Sequence, residues 1–205
     1  FKDGPQNANH EVETLFRPSD VTVGPDGAIY VADWFDAQVG GHGTQDTSGS
    51  GTIYRIAPKG FKSKVPNIDL STIAGQILAL KSPAVNVRAS GFNALVKQGK
   101  QAVSAVKELL SDENPYIQAR ALWVLAKLGD AGLIEVKQRL GHSEPQMRIL
   151  ALRVLSQHNL AMPFLPQLAQ DKSSSVRREV ALTLRDVPFE QSKDILITLA
   201  QGYDG

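Results

Sequence analysis

The chain contains no cysteine. A disulfide framework, a thiolate zinc site and a haem held through cysteines are therefore excluded within it. No apolar run approaches the roughly 18–20 residues that span a bilayer. Neither sign of charge is in excess: 22 basic and 21 acidic side chains leave a net charge of +1. Such a balance supplies no field to draw nucleic acid or an anionic membrane surface. What remains is a chain of 205 residues, 42% of them hydrophobic, enough for one or two domains with a packed core. It opens on Phe1, without methionine or leader, and reads as a piece of a longer protein.

Residues Val87 to Leu184 repeat one pattern four times. The copies open Val87-Arg88-Ala89-Ser90-Gly91, Ile117-Gln118-Ala119-Arg120-Ala121, Met147-Arg148-Ile149-Leu150-Ala151 and Val176-Arg177-Arg178-Glu179-Val180. Their first residues stand 30, 30 and 29 positions apart. A fixed period of this size marks a stacked repeat. Within a copy, apolar or small residues fall at i, i+4, i+7 and i+8, as at Ile117, Ala121, Val124 and Leu125. That spacing lines one face of a helix.

The ends of these helices are also written in the chain. Pro83, Pro115 and Pro145 head the stripes, where a missing N–H leaves no bond unmade. Ser82 and Asn114 before them suit the N-cap. Gly99, Gly129 and Asn159 stand 12 residues after the first residue of their copies, the place of a left-handed C-terminal residue. In the fourth copy Val187-Pro188 replaces it. A second, shorter helix is predicted in each copy, and a further one over residues 71–80. Leu95, Leu125, Leu155 and Leu184 occupy one slot and are predicted buried in register.

Two helices per copy cannot bury both faces alone, so neighbours must stack. The pattern resembles short HEAT-like repeats, whose first helix reads Val-Arg, Ala, Ala-Leu, Gly. The resemblance implies a mainly α fold, an α-α superhelix of about four to five helix pairs over residues 71–205.

Ahead of the helices lie two β-rich runs, 17–23 and 28–34, around the turn Gly24-Pro25-Asp26-Gly27, and a third run at Gly51–Ile56. They predict a small antiparallel β meander over 1–60, with Asp26 as a turn residue, joined by a linker at 61–70. A weak alternation at 11–16 allows one more short strand. A three-stranded piece has two open edges, so pairing with a second copy or packing on the first helices is expected.

The segments Phe16–Val21, Gly24–Trp34, Gly40-Gly41-His42-Gly43 and Gly51–Ile56 resemble the last blade of one β-propeller family. These are the large secreted "membrane-bound dehydrogenase" proteins of planctomycetes and their relatives, similar to quinoprotein glucose and sorbosone dehydrogenases. In that family HEAT-like repeats follow the propeller, the order seen here. The resemblance implies a periplasmic or extracellular parent, with pyrroloquinoline quinone (PQQ) and calcium in its propeller and no cofactor held by this piece alone.

His42, beside Asp33, Asp36 and Asp46 in a glycine-rich loop, is the candidate catalytic residue of such a parent. Imidazole with carboxylates can bind a metal or relay a proton. Asp33, Trp34, Asp36 and Asp46 are the candidate cofactor-binding residues. The alternative is a solvated loop whose glycines serve turns. Arg88, Arg148 and Arg177, with Gln118 in the second copy, hold equivalent slots and predict an internal ladder to carbonyls and to carboxylates such as Asp112 and Asp171. Trp123 reads as packing between copies, and His142 and His158 as helix-end residues. The function expected is a scaffold that binds a protein partner or neighbouring domains of its own chain. The alternative is part of the cofactor or substrate site of a sugar or alcohol dehydrogenase.

Overall fold

The computed structural model describes residues 16, 18–34 and 51–203. They are mainly helical, with a small three-stranded antiparallel sheet on the N-terminal side. The chain divides into two compact units, Phe1–Ile68 with Ser82–Ala89, and Asp69–Lys81 with Ser90–Gly205. The first turn of one helix is thus grouped with the sheet. Residues 61–69 carry neither helix nor strand.

In the first unit, β1 (Pro18–Val23), β2 (Ile29–Asp33) and β3 (Thr52–Ile56) form a meander in that order. Gly-Pro-Asp-Gly closes the first hairpin: the Gly27 N–H donates to the Gly24 carbonyl at 2.9 Å, and the Gly24 N–H to Ala28 at 2.8 Å. Gly27 takes φ 84°, a left-handed conformation open to glycine. The register sets Val21, Val31 and Tyr54 side by side, and Val23, Ile29 and Ile56 likewise. Because side chains alternate across a strand, these six share one apolar face. Val21, Ile29, Tyr54 and Ile56 on it are exposed. The alternation at 11–16 lies, Phe16 apart, outside the described residues.

Helix α1 spans Ile73–Lys81, α2 Val85–Gln98, α3 Val103–Glu108, α4 Pro115–Leu125 and α5 Asp130–Gln138. They are followed by α6 (Pro145–Gln157), α7 (Leu165–Leu168), α8 (Ser174–Thr183) and α9 (Phe189–Gln201). In the second unit α4 packs on α6 and α6 on α8, while α5 touches α4 and α6, and α7 touches α8 and α9. The shared leucine slot is buried throughout: Leu95, Leu125 and Leu155 are 0% exposed and Leu184 4%. Small residues let backbones approach. A Cβ on Gly91 would stand 2.6 Å from the Leu80 nitrogen of α1, and one on Gly132 would collide with the Leu125 carbonyl.

Gly99, Gly129 and Asn159 all take left-handed φ, at 57°, 81° and 57°. Asn114 caps α4 by accepting the Tyr116 N–H at 3.0 Å, and Pro115 and Pro145 are first helical residues as expected. Pro83 departs from that pattern, because α2 begins only at Val85. The Ser82 hydroxyl takes the Ala84 N–H and the Ala84 carbonyl takes the Arg88 N–H, which moves the cap past the proline. The second helix is shorter than the first in three copies. In the fourth the order reverses, 13 residues in α9 against 10 in α8.

Candidate functional site

Two of the five predicted site residues fall in the described part of the chain. Asp33, the last residue of β2, is 8% exposed and lies opposite Pro18 and Thr52 in the sheet. Trp34 follows it and is 70% exposed. Asp36, His42 and Asp46 lie outside the described residues. Among the described residues, no three His, Cys, Asp or Glu are grouped to hold a metal ion. Asp26 is a turn residue, as expected. Its carboxylate accepts the Ser63 hydroxyl at 2.7 Å, the Tyr30 hydroxyl at 3.0 Å and the Ala28 N–H at 3.1 Å. The Ser63 bond, with those from Ala28 and Tyr30, outweighs the cost of desolvation and holds this carboxyl below its ordinary range.

The arginine slot forms a ladder inside the chain. Its side chain turns back to the carbonyl six residues earlier in every copy: Arg88 to Ser82 at 3.3 Å, Gln118 to Asp112 at 2.6 Å, Arg148 to His142 at 2.7 Å and Arg177 to Asp171 at 2.9 Å. The acceptor residues have a second task. The side chains of Ser82, Asp112, His142 and Asp171 accept the N–H two residues on, from Ala84, Asn114, Glu144 and Ser173. Each turn before a first helix is thus locked twice, by its own side chain and by the ladder residue. Sequence reading named Asp112 and Asp171 but missed that the slot is periodic. The signal was there: 82, 112, 142 and 171 repeat the 30, 30, 29 spacing.

Ion pairs join one copy to the next. Arg148 grips Asp171 through Nε at 2.8 Å and Nη2 at 2.6 Å, with the two side chains 6% and 10% exposed. Arg153 holds Glu179 through two bonds of 2.7 Å, Lys81 reaches Asp112 at 2.8 Å, and Lys107 reaches Glu135 at 2.6 Å. A fork of two parallel charge-assisted bonds fixes direction as well as distance. Arg148 and Asp171 line a groove of about 560 Å³ with His142, Ser143, Gln167 and Lys172. Both ends of its strongest charge pair are already engaged with each other. Trp123 is half-buried and packs on the core.

No protein-family model matches this chain, and no curated protein matches it. What the fold and these contacts define is a mainly helical chain whose repeated polar slots bond inward, joined to a small antiparallel sheet.

Proposed function

We propose that this chain is a scaffold and docking region of a larger secreted protein. Its helical copies form a short HEAT-like solenoid that holds neighbouring domains or a protein partner, and its meander belongs to a wider β assembly. The observation that supports this reading is the ladder. The long polar side chains that recur in every copy, at 88, 118, 148 and 177, hold the chain's own turns rather than converging on a ligand. A periodic slot used for internal bonding is what a stacked array needs, since each unit contacts only its neighbours.

The second reading makes the meander part of a quinoprotein dehydrogenase site, with PQQ and calcium held in the complete parent. The burial of Asp33 at the end of β2, next to the segment with Asp36, His42 and Asp46, favours it. One assay separates the two. Residues 1–205 are titrated calorimetrically with calcium and PQQ, and tested for dye-linked oxidation of sugars and alcohols. The scaffold reading expects neither binding nor turnover, because one hairpin encloses no pocket that orders a cofactor. Sub-micromolar binding or measurable turnover would overturn it in favour of the second.

A further inference from the structure

The four turns that precede the first helices share one device and differ in one chemical respect. In each, the side chain of the slot residue accepts the N–H two residues on. The Ser82 hydroxyl does so at 3.2 Å, the Asp112 carboxylate at 2.9 Å, the His142 imidazole at 3.1 Å and the Asp171 carboxylate at 2.8 Å. A hydroxyl accepts at any pH. A carboxylate accepts while ionised. The Lys81 bond, then the Asn114 N–H, hold Asp112 below its ordinary value. Burial opposes the same shift at Asp171, but the Arg148 and Ser173 bonds prevail. Both therefore stay acceptors down to about pH 4. Imidazole accepts only while neutral. With Nδ1 taking the Glu144 N–H, the ring carries its proton on Nε2. A second proton can bind only at Nδ1, and there it abolishes the acceptor. His142 is thus the one slot of the four whose bond a proton breaks in the range where histidine charges.

We propose that His142 is an acid-sensitive latch at the joint between the third and fourth copies. Protonation frees the turn before α6 and loosens the grip of Arg148 on Asp171. The coupling runs through the backbone. The carbonyls of His142 and Ser143 accept from Arg148 Nη1 at 2.7 Å and 2.9 Å. The same guanidinium forks onto Asp171 through Nε and Nη2. A turn without its side-chain lock holds those carbonyls less firmly, and a forked pair depends on orientation. The charged groups around the ring are Arg139 and Glu144 in its own turn, Arg148 on α6, and Asp171 and Lys172 across the groove. Gln167, Leu168 and Gln170 complete that far side without charge. Asp171 is already engaged with Arg148. Once charged, the ring shares the groove with Arg148 and Lys172, beside a helix start whose dipole opposes a cation. The latch stands apart from the scaffold reading, since it concerns one joint whatever the array holds.

The test compares residues 1–205 as wild type, as His142→Ser and as His142→Ala. Serine is the acceptor of the first copy and works at any pH, whereas alanine offers none. Urea unfolding is followed at pH 7.5 and at pH 5. His158 and the other histidines are common to all three proteins and cancel. At pH 7.5 the wild type should match His142→Ser, with the folded-to-unfolded ratio of His142→Ala about fivefold lower, the loss of one cap. At pH 5 the wild type should fall about fivefold or more below His142→Ser, down to His142→Ala or past it, while the gap between the two variants stays constant. Hydrogen exchange read by NMR follows the joint itself. Protection of the Arg148 Nε–H should drop between pH 7.5 and pH 5 in the wild type and hold in His142→Ser. A wild type that keeps pace with His142→Ser at pH 5 overturns the proposal. So does a His142→Ser no more stable than His142→Ala at pH 7.5, since the slot then needs no acceptor. Should the variants fail to fold, the wild-type exchange decides: an Arg148 Nε–H equally protected at both pH values overturns the latch.

Discussion

Arg148 is one of two arginines that fork onto a carboxylate across the joint between the third and fourth copies. It spans two carbonyls of its own turn and the carboxylate of Asp171 in the next. Removing one partner of a buried pair leaves an uncompensated charge, so Asp171→Asn should cost about 3–5 kcal/mol at pH 7. Burial raises the Asp171 pKa, but the Arg148 and Ser173 hydrogen bonds and the charges of Arg148 and Lys172 outweigh it and leave the carboxyl below its ordinary value. A depressed folded pKa contributes stability that is whole above the unfolded value and is lost as the pH falls below about 4. Urea midpoints for wild type and Asp171→Asn should therefore converge between pH 7 and pH 3. An unchanged gap at pH 3 would show that the charge is not what the mutation removes. Leu125 is a simpler case. At 0% exposed, its truncation to alanine should cost about 2–5 kcal/mol, and a loss under about 0.5 kcal/mol would refute the shared register.

Among the elements, α5 and α6 show glycine and histidine working in opposite senses. Gly132 lies where α5 meets the Leu125 carbonyl at the end of α4, so Gly132→Ala should destabilise even though alanine favours a helix by about 1 kcal/mol. Gly141 has nothing within 4 Å of where a Cβ would stand, and its φ is not left-handed. Gly141→Ala should be neutral or stabilise by about 0.4–1 kcal/mol. Thermal melts of the two variants moving in the same direction would contradict the packing described. At the C-terminus of α6, His158 should profit as a cation from the helix dipole. Burial, aided by the charge of Lys127, prevails and lowers its pKa from the ordinary 6.5. Stability linked to it is complete above about pH 6.5 and declines as the pH falls through the lowered value. NMR titration should place the His158 midpoint below 6.5, and His158→Gln should flatten the stability profile in that range. A midpoint at or above 6.5 would remove the argument.

At the scale of the molecule, the two units differ in how much they bury. The helical unit encloses a continuous core from Leu80 to Ile195. The sheet's unit exposes Val21, Ile29, Tyr54 and Ile56 on one face, and among its described residues Ala28 and Ala84 are the strongly buried apolar side chains. A small sheet with so little enclosed surface is marginal in water by itself. Each unit holds one tryptophan, Trp34 and Trp123. Fluorescence of Trp123→Phe should report the sheet unit melting at lower urea than the helical ellipticity, while Trp34→Phe should track that ellipticity. Coincident transitions for both variants would mean that the units unfold as one.

The period of 30, 30 and 29 residues by itself determined the helices, their shared leucine slot and the left-handed residues that end them. Those features are set by local backbone preference and by which face of a helix is apolar, and both are legible in one dimension. The Gly-Pro-Asp-Gly hairpin was legible for the same reason. The shift of the α2 start past Pro83 was decided by a hydroxyl-to-backbone bond, which competes with capping only once the turn exists. The pairing of Arg148 with Asp171 rather than with solvent was decided by how one copy stacks on the next, 23 residues along. The exposed apolar residues of α9, Leu196 and Ile197, stand in the chain directly after the buried Ile195. Apolar periodicity shows that a helix has a face to bury, but with apolar residues on two faces only packing decides which one is covered.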